Sequence, residues 1–185
     1  MSAPDSGILK LFGGRWELGN CWRLPERRVD GQVAGWVSWA PGREPESEHG
    51  RTRGFVYSPQ AVAEAGGESS PLFLVETIDD LGAVHGAGHV GIARPYRSQG
   101  YEALAELVGD RRCAGVAAPN ALSALSSSAL CRHLEKTAQA VLFVPVSPPH
   151  PSLSVWLARS TDPEATLALA LARAVGAPRL AGGAK

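Results

Sequence analysis

Between Gly88 and Gly100 the chain reads GHVGIARPYRSQG. Val90–Ala93 is an apolar run too short for a helix. His89 opens it, and a basic turn with Arg94, Pro95, Arg97 and Gly100 closes it. A helical pattern follows over Tyr101–Val108, with Leu104, Leu107 and Val108 on one side. A strand, a turn and a helix in immediate succession commit the chain to short, mixed elements. The 21 glycines and 14 prolines divide the remainder in the same way.

Ile8–Phe12, stopped by Gly13-Gly14, reads as a first strand. Trp16, Leu18, Trp22 and Leu24 recur at the two-residue period of a half-buried strand. Asp30-Gly31 is a turn signal between Arg27–Val29 and Val33–Trp39, which predicts a hairpin. Gly54–Tyr57 is a strand entering a helix at Ser58-Pro59, with serine as cap and proline in the first turn. Leu72–Val75 reads as a buried strand and Thr77–Gly88 as a loop containing two acids. Cys113–Ala118 and Val141–Val146 read as further strands, Ser126–Ala138 as a helix. The Pro148–Pro151 turn and Leu153–Leu157 lead to a closing helix, Pro163–Val175, with Asp162 as its cap and Gly176 as its stop. Strands come first and helices enter later. That order predicts one α+β domain over residues 1–185, its sheet mostly antiparallel and barrel-like, with peripheral helices. A flexible loop near 41–53 and a frayed tail at Ala181–Lys185 complete the expectation.

The 18 basic and 18 acidic residues cancel, an argument against a nucleic-acid partner. Cys21, Cys113 and Cys131 are scattered, which suits buried thiols in a reducing compartment better than a disulfide framework or a zinc site. Met1–Gly7 lacks the features of a secretion signal, and no run has the length of a membrane helix. The expectation is a cytoplasmic or nuclear protein, neither secreted nor membrane-bound.

Five histidines are available for chemistry: His49, His85, His89, His133 and His150. His49 in the charged loop and His150 between prolines read as solvated, His133 as a helix-side residue. Gly82, Gly86 and Gly88 argue against a helix joining His85 to His89, so a two-histidine metal pair is not expected. His89 at a strand start is the candidate acid–base group. Arg97 is the candidate anion or oxyanion donor. No serine sits in a GxSxG elbow, and no GxGxxG or P-loop pattern is present.

Several motifs resemble, in order, those of assemblin, the herpesvirus capsid maturation protease. They are Phe12-Gly13-Gly14, Leu24-Pro25, Gly35-Trp36-Val37, Gly54-Phe55-Val56-Tyr57-Ser58-Pro59, and His89-Val90-Gly91-Ile92 followed by Arg97 and Gly100. The resemblance implies a serine endopeptidase fold, with His89 as a triad member and Arg97 stabilising the oxyanion. Asp30 stands where that family has its first catalytic histidine. Ser69, Ser70 and Thr77 fall out of register for a nucleophile, which leaves a degenerate protease as one outcome. Arg97-Ser98-Gln99-Gly100-Tyr101-Glu102 is similar to the acetyl-CoA loop of GNAT acetyltransferases, with Glu102 in place of the last small residue. A third alternative is a non-catalytic assembly protein acting through protein–protein contacts. The partners implied are a protein or polypeptide substrate, with a homodimer as an open alternative and no cofactor.

Overall fold

The computed structural model describes residues 6–17, 20–48, 54–65, 70–94, 100–117 and 129–176. Two sheets are built from consecutive halves of the chain. The first is antiparallel, in the order β1 (Arg15–Glu17), β2 (Cys21–Arg27), β3 (Val33–Trp39), β4 (Glu46–Ser47). Its centre is the predicted hairpin. Gly31, at φ 80°, turns the chain while Arg28 N–H donates to the Gln32 carbonyl at 2.9 Å. Alternation places Trp22, Leu24, Val37 and Trp39 on the buried face. The segment Ser6–Leu11 is a helix (α1), not the expected strand. Leu9 and Phe12 from this stretch are fully buried against the same face.

The second sheet is parallel where an antiparallel barrel was expected. Its order is β6 (Gly91–Ala93), β5 (Leu72–Val75), β7 (Arg112–Ala117), β8 (Ala140–Pro145), β9 (Val175–Gly176), and only β9 runs antiparallel. Helices join the parallel strands: α3 (Ile78–Gly86) from β5 to β6 and α4 (Tyr101–Val108) from β6 to β7. A helix with residues 129–134 described, α5, lies between β7 and β8. Then follow α6 (Leu153–Ala158) and α7 (Pro163–Arg173). The fold is therefore α+β with one antiparallel and one helix-covered parallel sheet, and no closed barrel among the described residues.

The segment Thr77–Gly88 is the decisive misreading. Its glycines suggest a loop, yet Thr77 accepts the Asp80 amide as an N-cap, and Ile78, Leu81 and Val84 repeat on one buried side. Gly82 is itself buried in the helix that links β5 to its parallel neighbour. Leu153–Leu157, to which the sequence assigned no element, falls in a helix capped by Ser152.

Two clusters cover the parallel sheet. Phe73 and Val75 face α3, α6, α7 and the first sheet, while Leu72 and Leu74 face α2 (Pro59–Glu64), α4 and α5. All four residues of β5 are buried, which is why it reads as an unbroken apolar run. The sheets meet at a seam made by residues 55–56. Arg27 and Phe55 exchange backbone hydrogen bonds, as do Val56 and Ala93. The expected strand Gly54–Tyr57 is thus a bridge carrying hydrogen bonding from β2 to β6. Gly54 is required there, because a Cβ would lie 2.2 Å from the Arg27 carbonyl oxygen.

Candidate functional site

In open sheets of this kind ligands bind outside the carboxyl ends of the strands, where the strand order reverses. The chain steps from β5 to β6 on one side, then returns across β5 to β7, so the reversal falls beside the carboxyl end of β5. Glu76 is the residue at that end, followed by the Thr77 cap and by Asp79 and Asp80 in the first turn of α3. The amino terminus of α3 favours negative charge. Arg94 stands at the end of β6, 4% exposed, its guanidinium 5.1 Å from the Tyr101 ring centroid.

Asp79 and Asp80 are both engaged by neighbours. Trp39 Nε1 donates to Asp79 Oδ2 at 3.2 Å and so ties the antiparallel sheet to α3. Ser154 N–H donates to Asp80 Oδ1 at 2.7 Å. Burial raises the affinity of both carboxylates for a proton, and their hydrogen bonds oppose that rise.

The expected histidine lies elsewhere. His89 precedes β6, at the amino edge of the sheet, so His89 and Arg94 stand at opposite ends of one strand. Its Nδ1 is 3.2 Å from the Ser70 hydroxyl, the contact that the sequence register had placed out of reach. Burial depresses the His89 pKa, and the Glu164 charge opposes this. His85 belongs to α3 and lies edge-on to Phe12, 4.8 Å between ring centroids. Gly91 N–H donates to its Nε2, and burial pushes its pKa down to about 4. Arg97 lies outside the described residues, as do Ser98 and Gln99 of the acetyl-CoA-like loop and His49. Sequence reasoning placed Arg94 in the basic turn without a role and missed Glu76, Asp79 and Asp80 as site residues. The signal available was an apolar strand running directly into an acid, a threonine cap and a three-spaced apolar series.

Centres that use two metal ions hold them with several convergent carboxylates. Here all three acids come from one strand end, and two of them hold other parts of the fold. The sequence after β6 (94–100), after β7 (118–128) and after β8 (146–152) contains no Asp or Glu. Among the described residues no group of three or more His, Cys, Asp or Glu could hold a metal. The donor set does not fit a two-metal centre.

Solved structures similar to this chain are primase catalytic cores. A DnaG catalytic core matches 85% of the chain at a TM-score of 0.64 and 15% identity, with 54% of its own length covered. A DnaG primase catalytic domain bound to single-stranded DNA matches 85% at 0.62 and 15% identity, with 52% covered. The RNA polymerase domain of Mycobacterium tuberculosis primase matches 91% at 0.59 and 16% identity, with 62% covered. The chain thus spans between half and two thirds of the length of these structures, and the likeness defines the fold. No protein family matches the sequence, and no curated protein is detectably similar to it.

These matches overturn both resemblances drawn from motifs. The neighbours are neither assemblin nor GNAT acetyltransferases, so the serine endopeptidase, assembly-protein and acetyltransferase readings fall with them. Short motifs anchored at hairpins and capped helices recur in unrelated folds, whereas the fold correspondence extends over 84% to 91% of the chain. The exclusion of nucleic acid falls as well, since neighbours include complexes with single- and double-stranded DNA. Net charge averages over the chain and says little about where its arginines gather. Among the described residues, no helix is long and apolar enough to cross a membrane.

Proposed function

We propose that this chain is a nucleic-acid-associated protein of the primase-core type, which holds a polynucleotide strand along the carboxyl edge of its parallel sheet. The observation that carries the reading is the fold correspondence over 85% of the chain with a primase catalytic domain bound to single-stranded DNA. The chemistry of the edge supports it. Arg27 and Arg94 flank the seam at Phe55–Val56, roughly 10 Å apart across two strand spacings. Arg28, exposed, lies beside them. Of the 18 basic residues only Lys10, Lys136 and Lys185 are lysines, and arginine is the side chain whose planar fork matches phosphate. In sequence, the stretches that follow β6, β7 and β8 carry Arg, Ser, Gln, Asn and His and no acids. That composition suits contact with a phosphate backbone better than metal-dependent polymerisation.

The test is fluorescence anisotropy of short labelled single-stranded and duplex DNA with the full chain across a salt series. Binding with Kd of about 10⁻⁶ to 10⁻⁴ M at physiological salt is expected, weakening steeply as salt rises. Arg28→Gln should reduce the salt slope by about one. No binding at low salt would sink the reading. Nucleotide incorporation in the presence of magnesium or manganese would instead show that the donor argument is wrong.

A further inference from the structure

The carboxylate of Asp80 is buried, 7% exposed, and all of its recorded partners are donors. Its Oδ1 accepts the Ser154 amide at 2.7 Å across 74 residues of sequence. The hydroxyls of Ser154 and Thr77 also donate to it. Ser154 belongs to the first turn of α6, whose other early amide, Val155 N–H, donates to the Ser152 hydroxyl at 3.3 Å. The Ser152 and Ser154 hydroxyls lie 3.0 Å apart. This short helix is therefore capped twice, once by its own chain and once from α3.

The double cap has a consequence for the carboxyl edge. Residues 146–152 leave β8 at that edge and enter α6 directly. Within them His150 N–H donates to the Ser147 carbonyl, and the His150 ring stacks on Trp156 of α6 at 15° between planes. The connection is thus attached at its far end to α6, and α6 is attached to α3 through Asp80. We propose that Asp80 is a positioning residue, which caps α6 from α3 and thereby fixes the 146–152 connection at the carboxyl edge of the parallel sheet. An acid one helical turn after Glu76 acts as a clasp between two crossover helices, with no contact to substrate required. Its bearing on strand binding rests on the nucleic-acid reading, whereas the clasp itself does not.

Amide hydrogen exchange of the full chain, read residue by residue, tests this. Asp80→Ala should speed exchange at Ser154 and Val155 at least tenfold and raise exchange across 146–152, leaving β5 and α7 protected. Asp80→Asn keeps an acceptor oxygen and should restore protection. Ser154→Pro removes the donated amide while leaving Asp80 in place, so it should loosen 146–152 even if Asp80→Ala fails to fold. Unchanged exchange across 146–152 in Ser154→Pro, or in a folded Asp80→Ala, would overturn the proposal. Oligonucleotide binding measured on the same samples reports separately: if the wild-type chain binds no strand, the functional reading fails while the exchange result still decides the clasp.

Discussion

The antiparallel and parallel sheets differ in how far their partners lie along the chain. In the first sheet each strand pairs with the next one, through the turn at Gly31 and the loops on either side. In the second, β5 pairs with β6 and also with β7, which returns from beyond β6, and Asp80 meets Ser154 across 74 residues. The local sheet presents its logic as alternation, with one face buried and the other carrying Arg15, Arg23 and Trp36. The non-local sheet is buried on both faces and carries the candidate site at its strand ends. The regular half serves as a support, and the half assembled from distant segments brings the chemistry together.

If the two halves form one cooperative unit, the contacts between them should be the most sensitive points. The largest effect is expected at the seam. Gly54→Ala forces a Cβ against the Arg27 backbone and should cost about 4 kcal/mol, because a backbone atom cannot swing aside as a flexible side chain can. Denaturant unfolding followed by tryptophan fluorescence, which favours the first sheet, and by far-UV circular dichroism would show whether both halves melt together. Two separate transitions in the wild-type protein would break the comparison.

The next effect is on pH. His85 packs against Phe12, joining the turn after α1 to α3, and its folded pKa of about 4 lies below the ordinary 6.5. The folded state binds fewer protons between those values, so this contribution is complete above pH 6.5 and is lost as pH falls towards 4. Its size is at most about 3 kcal/mol. Stability of His85→Phe measured between pH 7 and pH 4 should show a shallower loss than wild type. Equal slopes would remove His85 from the account.

A smaller effect sharpens the link at the site. Trp39→Phe deletes the hydrogen bond to Asp79 while keeping most of the ring, and should cost about 2 kcal/mol. In a double-mutant cycle with Asp79→Ala, which removes the acceptor, a coupling near zero would mean that the bond does not hold the antiparallel sheet to α3.

Legibility followed the same division. The Asp30-Gly31 hairpin, the Ser58-Pro59 and Asp162 helix starts, and the apolar runs at Leu72–Val75 and Val141–Val146 were readable because each is specified by adjacent residues. Ile8–Phe12 was misread because a short apolar run has no period to decide it, and only burial of Leu9 and Phe12 settles the matter. Thr77–Gly88 was misread because three glycines outweighed a cap and a three-residue apolar spacing. That error hid the crossover helix, and with it the parallel sheet and the acids at its carboxyl edge. His89 drew attention as an ionisable group at a strand end, but a sequence does not say which end of a sheet that strand will offer.

By itself, then, the sequence determined the short mixed elements, the hairpin, the helix caps and the apolar strands, since each depends on steric and hydrogen-bonding preferences within a few residues. Tertiary structure alone decided that β5 lies between β6 and β7, and that Phe55–Val56 joins the two sheets. It also decided that Asp79 and Asp80 hold neighbouring elements while Glu76 and Arg94 stand at strand ends. Parallel pairing and buried polar contacts join groups far apart along the chain, and burial on both faces removes the alternation that would have disclosed them.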